Sequence, residues 1–210
     1  GQLGSAVLLW EREYISCHSG SNSSSSSSSG GGGDQGPWFL ARETRYPSDT
    51  NQTITEVTTY DYTFHPGTCA VQEKLTTFPL VSVAQHGPEA AATRRDVYDL
   101  YGNLTWAMDE RGFLTRMNYD IPTGAMTQRV DDVDTGLYSD VPAGWSTPSG
   151  GGLNLVTDYE HDPQGRITQA LGPAHEVDLD GVATAVRTAS WTVYDDGNHT
   201  TYSGQGYATG

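Results

Sequence analysis

Apolar and polar residues alternate along most of the chain with a period near two. In residues 53–64, Ile54, Val57, Tyr60 and Tyr62 are interleaved with Thr and Glu. That alternation predicts a strand with one half-buried face. His65-Pro66-Gly67 supplies a turn, and residues 68–78 return as a second strand, so the pair reads as a hairpin. Further strands are expected at 7–16 and 38–46. Residues 90–98 come nearest to a helical period, but Thr93, Val97 and Tyr98 suit a strand equally well. No other window approaches a period of 3.6. The expected fold class is all-β, an antiparallel hairpin sheet.

Composition then divides the chain. Residues 19–36 contain the serine run Ser23, Ser24, Ser25, Ser26, Ser27, Ser28 and Ser29, followed by Gly30–Gly33. A tract this poor in apolar side chains cannot bury enough surface to fold alone. It reads either as a flexible linker or as a spacer bearing O-linked sugars. The expected organisation is an N-terminal strand segment at 1–18, a Ser/Gly-rich linker at 19–37, a β-hairpin region at 38–92 and a repeat region at 93–210. The N-terminal strand has no stability alone. It must join a sheet, in its own chain or in a neighbour's.

From residue 93 onward a short unit recurs: Gly, any residue, a third residue that is usually apolar, then Thr. It occurs as Gly102-Asn103-Leu104-Thr105, Gly112-Phe113-Leu114-Thr115, Gly124-Ala125-Met126-Thr127 and Gly165-Arg166-Ile167-Thr168. Gly181-Val182-Ala183-Thr184 and Gly197-Asn198-His199-Thr200 are looser copies. Asp99, Asp109, Asp162 and Asp178 each stand three residues before the glycine, Asp120 stands four before it, and Asp195 two. A Tyr often precedes the Asp. Asp99 to Asp120 spans 21 residues and Asp120 to Asp162 spans 42, twice as many. A period near 20 residues points to stacked units. The chemistry is that of a hairpin turn. Glycine accepts the positive φ of a tight turn, the Asp bonds its own backbone two residues on, and the apolar-Thr pair starts the outgoing strand. Strands of about five to seven residues are expected between such turns.

Tyr98-Asp99-Leu100-Tyr101-Gly102-Asn103-Leu104-Thr105 and Tyr119-Asp120-Ile121-Pro122-Thr123-Gly124 resemble the YD repeat of RHS proteins. That family includes bacterial RHS toxins, cocoon components of insecticidal toxin complexes and teneurins. The resemblance is clearest over 94–132 and 159–168, with a degraded copy at 194–200, and about half of the chain falls in register. It implies a strand-turn-strand sheet, of the kind that builds hollow shells when many repeats follow one another. Residues 133–154 interrupt the series as an insertion or long loop, and the first 90 residues carry no clear repeat. Asp162-Pro163-Gln164-Gly165 matches the family's self-cleaving Asp-Pro-x-Gly only superficially, because Arg166-Ile167-Thr168 continue an ordinary repeat.

Charge and composition exclude whole classes. There are 11 basic and 26 acidic residues, a formal charge of −15, with 25 Thr and a single Lys. Such a surface repels phosphate backbones, so no nucleic-acid partner is expected. A helical bundle or coiled coil needs helix formers that this chain lacks. No apolar run reaches 18 residues, so no membrane-spanning helix is expected. Residues 1–10 lack the basic start of a secretory leader, and any export signal is expected upstream.

Candidate chemistry is sparse. Cys17 and Cys69 read either as a disulfide across the Ser/Gly tract or as two free thiols. Asp178 and Asp180 before Gly181 resemble part of a calcium loop, but the ligands that would complete it are missing. Solvated turn carboxylates are the simpler reading, and no cofactor is expected. The six histidines are scattered and form no zinc pattern. Motifs for a serine nucleophile, a P-loop or a dinucleotide fold are absent, and no enzyme activity is expected. Sequons place candidate glycans at Asn22, Asn51, Asn103 and Asn198. Trp106, Trp145 and Trp191 read as core residues or as platforms for sugar stacking. The expectation is a non-enzymatic extracellular structural protein that partners itself or adjoining repeats. The alternatives are a fibre protomer joined by N-terminal strand exchange, a glycan-binding adhesive module, and part of a toxin-enclosing shell.

Overall fold

The computed structural model describes residues 8–17, 36–48 and 54–209. Asn22, Asn51, Ser23–Ser29 and most of the 19–37 linker lie outside the described residues. The fold is all-β. Among the described residues, twelve strands form an antiparallel sheet whose spatial order is the chain order. The chain divides into two compact units, residues 1–102 with 109–111, and residues 103–108 with 112–210.

The first unit holds β1 (Trp10–Ser16), β2 (Trp38–Arg45), β3 (Glu56–Phe64), β4 (Val71–Thr77) and β5 (Thr93–Tyr98). The 53–78 hairpin forms as β3 and β4, with Thr59 opposite Thr77 and Gly67 at φ 74° in the turn. β1 lies antiparallel to the chain's own β2, Trp10 opposite Arg45 and Ser16 opposite Trp38. A disulfide joins Cys17 to Cys69, with the Cα atoms 5.8 Å apart. It ties the end of β1 to the β3–β4 turn. Beside it, Phe39, Tyr62 and Phe64 form a ring cluster with centroids 5.2 to 6.3 Å apart.

One buried charge stands out in this unit. The Asp96 carboxylate is only 4% exposed and lies 3.2 Å from Lys74 Nζ and 2.9 Å from Arg94 Nε. Burying a carboxylate is tolerable because both cations come with it. Lys74 sits directly opposite Asp96 on the neighbouring strand, the spacing at which opposite charges attract.

The second unit holds β6 (Leu104–Met108), β7 (Leu114–Tyr119), β8 (Met126–Asp131), β9 (Leu155–His161), β10 (Ile167–Leu179), β11 (Val182–Asp195) and β12 (Thr200–Thr209). Its core is Trp106, Leu114, Met117, Val130, Val133 and Trp145, with Leu114, Val130 and Val133 fully buried. β10 and β11 run to 13 and 14 residues, longer than the expected five to seven. β10 runs through the Gly172-Pro173 turn signal, and the chain reverses only at Asp180-Gly181. Pro173 is accommodated at an irregularity between Leu171 and Ala174, where a strand tolerates a missing N–H.

The 133–154 insertion does not break the sheet. β8 pairs directly with β9 across it, Gln128 opposite Asp158 and Asp131 opposite Leu155. The excluded chain folds back onto the sheet. Trp145 meets the edge of Trp106 at 6.4 Å, and Tyr138 meets it at 6.2 Å. Asp132 adopts φ 53°, and its carboxylate accepts hydrogen bonds from the Gly152 and Leu153 N–H groups. The insertion therefore supplies much of this unit's core.

Candidate functional site: repeat turns, sheet edges and exposed faces

The repeat turns take one local structure. Gly102, Gly112, Gly124, Gly165 and Gly181 all have φ between 69° and 87°. In each, the preceding Asp accepts backbone N–H bonds: Asp99 from Tyr101, Asp109 from Arg111, Asp120 from Thr123, Asp162 from Gln164 and Arg166, and Asp178 from Gly181. The carboxylate takes the place of a strand partner that the turn cannot offer. Asp180 adds its own positive φ of 54°, so Asp180-Gly181 makes the two-residue mirror-image turn favoured in hairpins. The last copy departs from the pattern. Gly197 is not among the positive-φ glycines, and His199 takes that conformation instead at 53°. Asp195 still accepts from Asn198 N, so the carboxylate keeps its role while the glycine loses it.

Two of these turns are joined by charge. Arg166 donates to Asp162 Oδ2 and to Asp196 Oδ1, each at 2.7 Å, while its guanidinium lies 4.2 Å over the Tyr194 ring. The Asp196 carboxyl is held below the ordinary range mainly by the Arg166 hydrogen bond. At Asp162 desolvation works the other way, and the hydrogen bonds from the Arg166 backbone and side chain outweigh it. Asp195 is lowered by the Asn198 side chain and backbone.

Asp178 spends its carboxylate on the Gly181 turn. Among the described residues, no group of three or more His, Cys, Asp or Glu is disposed to hold a metal ion. Asn198 is exposed at the β11–β12 turn, and its Nδ2 donates to Asp195 Oδ2 at 2.7 Å. Asn103 is half-buried where β6 begins. Trp106 and Trp145 are 2% and 6% exposed, which withdraws both from the sugar-stacking reading: the folded insertion covers them. Trp191 is partly exposed, and its indole N–H donates to Gln169. In the first unit Phe39, Tyr62, Lys74, Tyr98 and Tyr101 line a pocket of about 350 Å³. Desolvation would lower the Lys74 pKa, but Tyr98 and Asp96 override it and raise the value. An ammonium held this way is a poor nucleophile.

Sequence reasoning missed three structural residues. Asp140 accepts from Arg116 at 3.0 Å and from the Trp106 indole at 3.4 Å. Asp96 is buried. Arg187 donates to Leu171 O, Gly172 O and Asp158. Each depends on partners 15 to 34 residues away or on a neighbouring strand, and no spacing rule reaches that far.

Among the described residues, β1 has β2 as its one neighbouring strand and β12 has β11. β12 carries Thr200, Thr201, Ser203 and Gln205, all exposed. It has no proline and no charged side chain, the usual devices that block a strand edge. No helix among the described residues is long and apolar enough to cross a membrane.

No family model matches the chain, and no curated protein matches it. Among solved structures, the crystal structure of TcdB2-TccC3 is similar over 89% of this chain and 10% of that one, at 11% identity and a TM-score of 0.25. The chain thus spans about a tenth of that protein's length. A likeness of this extent carries no conclusion about family, ligand or assembly.

Proposed function

We propose that the chain is a structural module of YD-repeat type, a hairpin sheet that builds a shell, stalk or fibre outside the cell. One observation carries the reading. The described strands follow one another in chain order, and β12 carries no edge-blocking device. A sheet made this way lengthens by one hairpin per repeat, and Asp with Gly closes the turns at Gly102, Gly112, Gly124, Gly165 and Gly181, so its work is mechanical. The Cys17–Cys69 disulfide supports an oxidising, extracellular setting. The partners are adjoining repeats or further copies of the chain, with glycans as surface additions.

The fibre reading by N-terminal strand exchange is the weaker of the two. β1 pairs with the chain's own β2, and Cys17 is bonded to the chain's own Cys69. Deleting residues 1–36 tests that alternative directly: strand exchange requires assembly to be lost. The main reading is tested by electron microscopy of the native particle. It expects a further strand hydrogen-bonded along β12. A particle in which β12 faces solvent along its whole length would overturn it.

A further inference from the structure

The second unit carries a groove distinct from the repeat turns. It lies on one face of β9–β12. Pairing sets Tyr159 opposite Ala170, Ala170 opposite Ser190, Ser190 opposite Gln205, and Thr188 opposite Tyr207. Strand alternation brings Thr157 and Gly172 to the same side. The lining residues border an open groove of about 600 Å³.

Its depth comes from the irregularity in β10. The register with β11 slips between Leu171 and Ala174, and Arg187 holds the displaced backbone. Its guanidinium donates to Leu171 O at 2.8 Å, to Gly172 O at 2.7 Å and to Asp158 Oδ2 at 2.7 Å. A Cβ at position 172 would approach Thr188 Oγ1 to 2.3 Å, so any larger residue there displaces the Thr188 side chain from the lining. The concavity is therefore set before any ligand arrives.

The chemistry of the lining is selective. Thr157, Thr188 and Ser190 offer hydroxyls, and Gln205 offers a carboxamide. Each can both donate and accept. No acidic or basic side chain lines the pocket, in a chain whose net charge is −15. Tyr159 and Tyr207 stand on the outer two of the four strands, about 14 Å apart in strand spacings. His175 meets the edge of the Tyr207 ring at 6.2 Å. A charged ligand would find nothing to neutralise it, and a wholly apolar one would strand the hydroxyls. Rings with C–H faces for the tyrosines and hydroxyl groups for the polar side chains satisfy both.

We infer that this pocket binds an uncharged oligosaccharide. The site does not depend on the sheet-building reading, since it lies within one unit of one chain. The test is calorimetric titration of the intact chain with cellohexaose, laminarihexaose and chitohexaose, and with a heparin hexasaccharide as the charged control. At least one neutral probe binds, and Tyr207→Ala and Gln205→Ala each weaken it by about tenfold, the loss expected for one stacking or paired polar contact. Gly172→Val abolishes binding by filling the depression, while Tyr101→Ala in the other unit changes nothing. Tyr207 and Gln205 are exposed, so those variants keep the fold, and circular dichroism checks it. The inference is overturned if no neutral probe saturates below about 10 mM. It is also overturned if the sulfated probe binds more tightly, or if the Tyr207 and Gln205 variants bind like the parent chain.

Discussion

The Cys17–Cys69 bond offers the sharpest test of how the first unit is held together. It closes a loop with a sequence separation of 52 residues. Cross-linking a loop of that length removes roughly 14 cal/mol/K of unfolded-chain entropy, about 4 kcal/mol at 25 °C. The perturbation is the double substitution Cys17→Ser, Cys69→Ser. For a unit near a hundred residues, that energy corresponds to a fall of about 15–30 °C in melting temperature, the upper figure being a ceiling. Native-state hydrogen exchange read by mass spectrometry separates the units. Amides throughout β1–β5 should lose protection together, and amides in β6–β12 should keep theirs. The shape of the result matters as much as its size. If only β1 loses protection, the bond acts as a local tether for an edge strand and the loop-entropy argument fails. If β1–β5 lose less than about 0.5 kcal/mol of protection, the enclosed segment is already restricted in the unfolded chain.

Three further outcomes are expected. Leu114→Ala, at a fully buried site, should cost about 2–5 kcal/mol by chemical denaturation, with the loss in β6–β12. Gly165→Ala should cost about 1–2 kcal/mol through φ 78° alone, since an added Cβ there meets no atom within 4 Å; a loss several times larger would mean an unrecognised contact. The depressed carboxyls of Asp162, Asp195 and Asp196 bind fewer protons folded than unfolded. Their contribution is therefore complete above the unfolded value of about 4 and is lost as pH falls through their lower folded values. Carboxyl-carbon NMR titration should place all three below the ordinary aspartate value of about 3.9, and Arg166→Gln should return Asp196 toward it.

The turns and most of the strands are legible from sequence because they are settled within four or five residues. A glycine free to take positive φ and an Asp that bonds the next N–H groups need no distant partner. That is why Asp99-Gly102, Asp109-Gly112 and Asp162-Gly165 fold as the pattern predicts. Gly197 shows the limit: His199 takes over the left-handed position, a choice made within the same few residues but not encoded by the glycine rule.

Tertiary structure alone decided the rest. Nothing in the 133–154 composition says that Val133 and Trp145 are buried. They become core because β8 and β9 pair across the insertion and leave the Trp106 side of the sheet to be covered. Two cysteines in sequence allow a bond or two thiols, and only the register of β1 on β2 and of β3 on β4 brings residues 17 and 69 within 5.8 Å. The period of two places Thr188, Ser190, Gln205 and Tyr207 on alternating positions, but it cannot say which strands adjoin or where β10 slips at Gly172. Alternation is a property of one strand. A pocket is a property of four strands held in register, and that register comes from hydrogen bonds and packing between residues far apart in the chain.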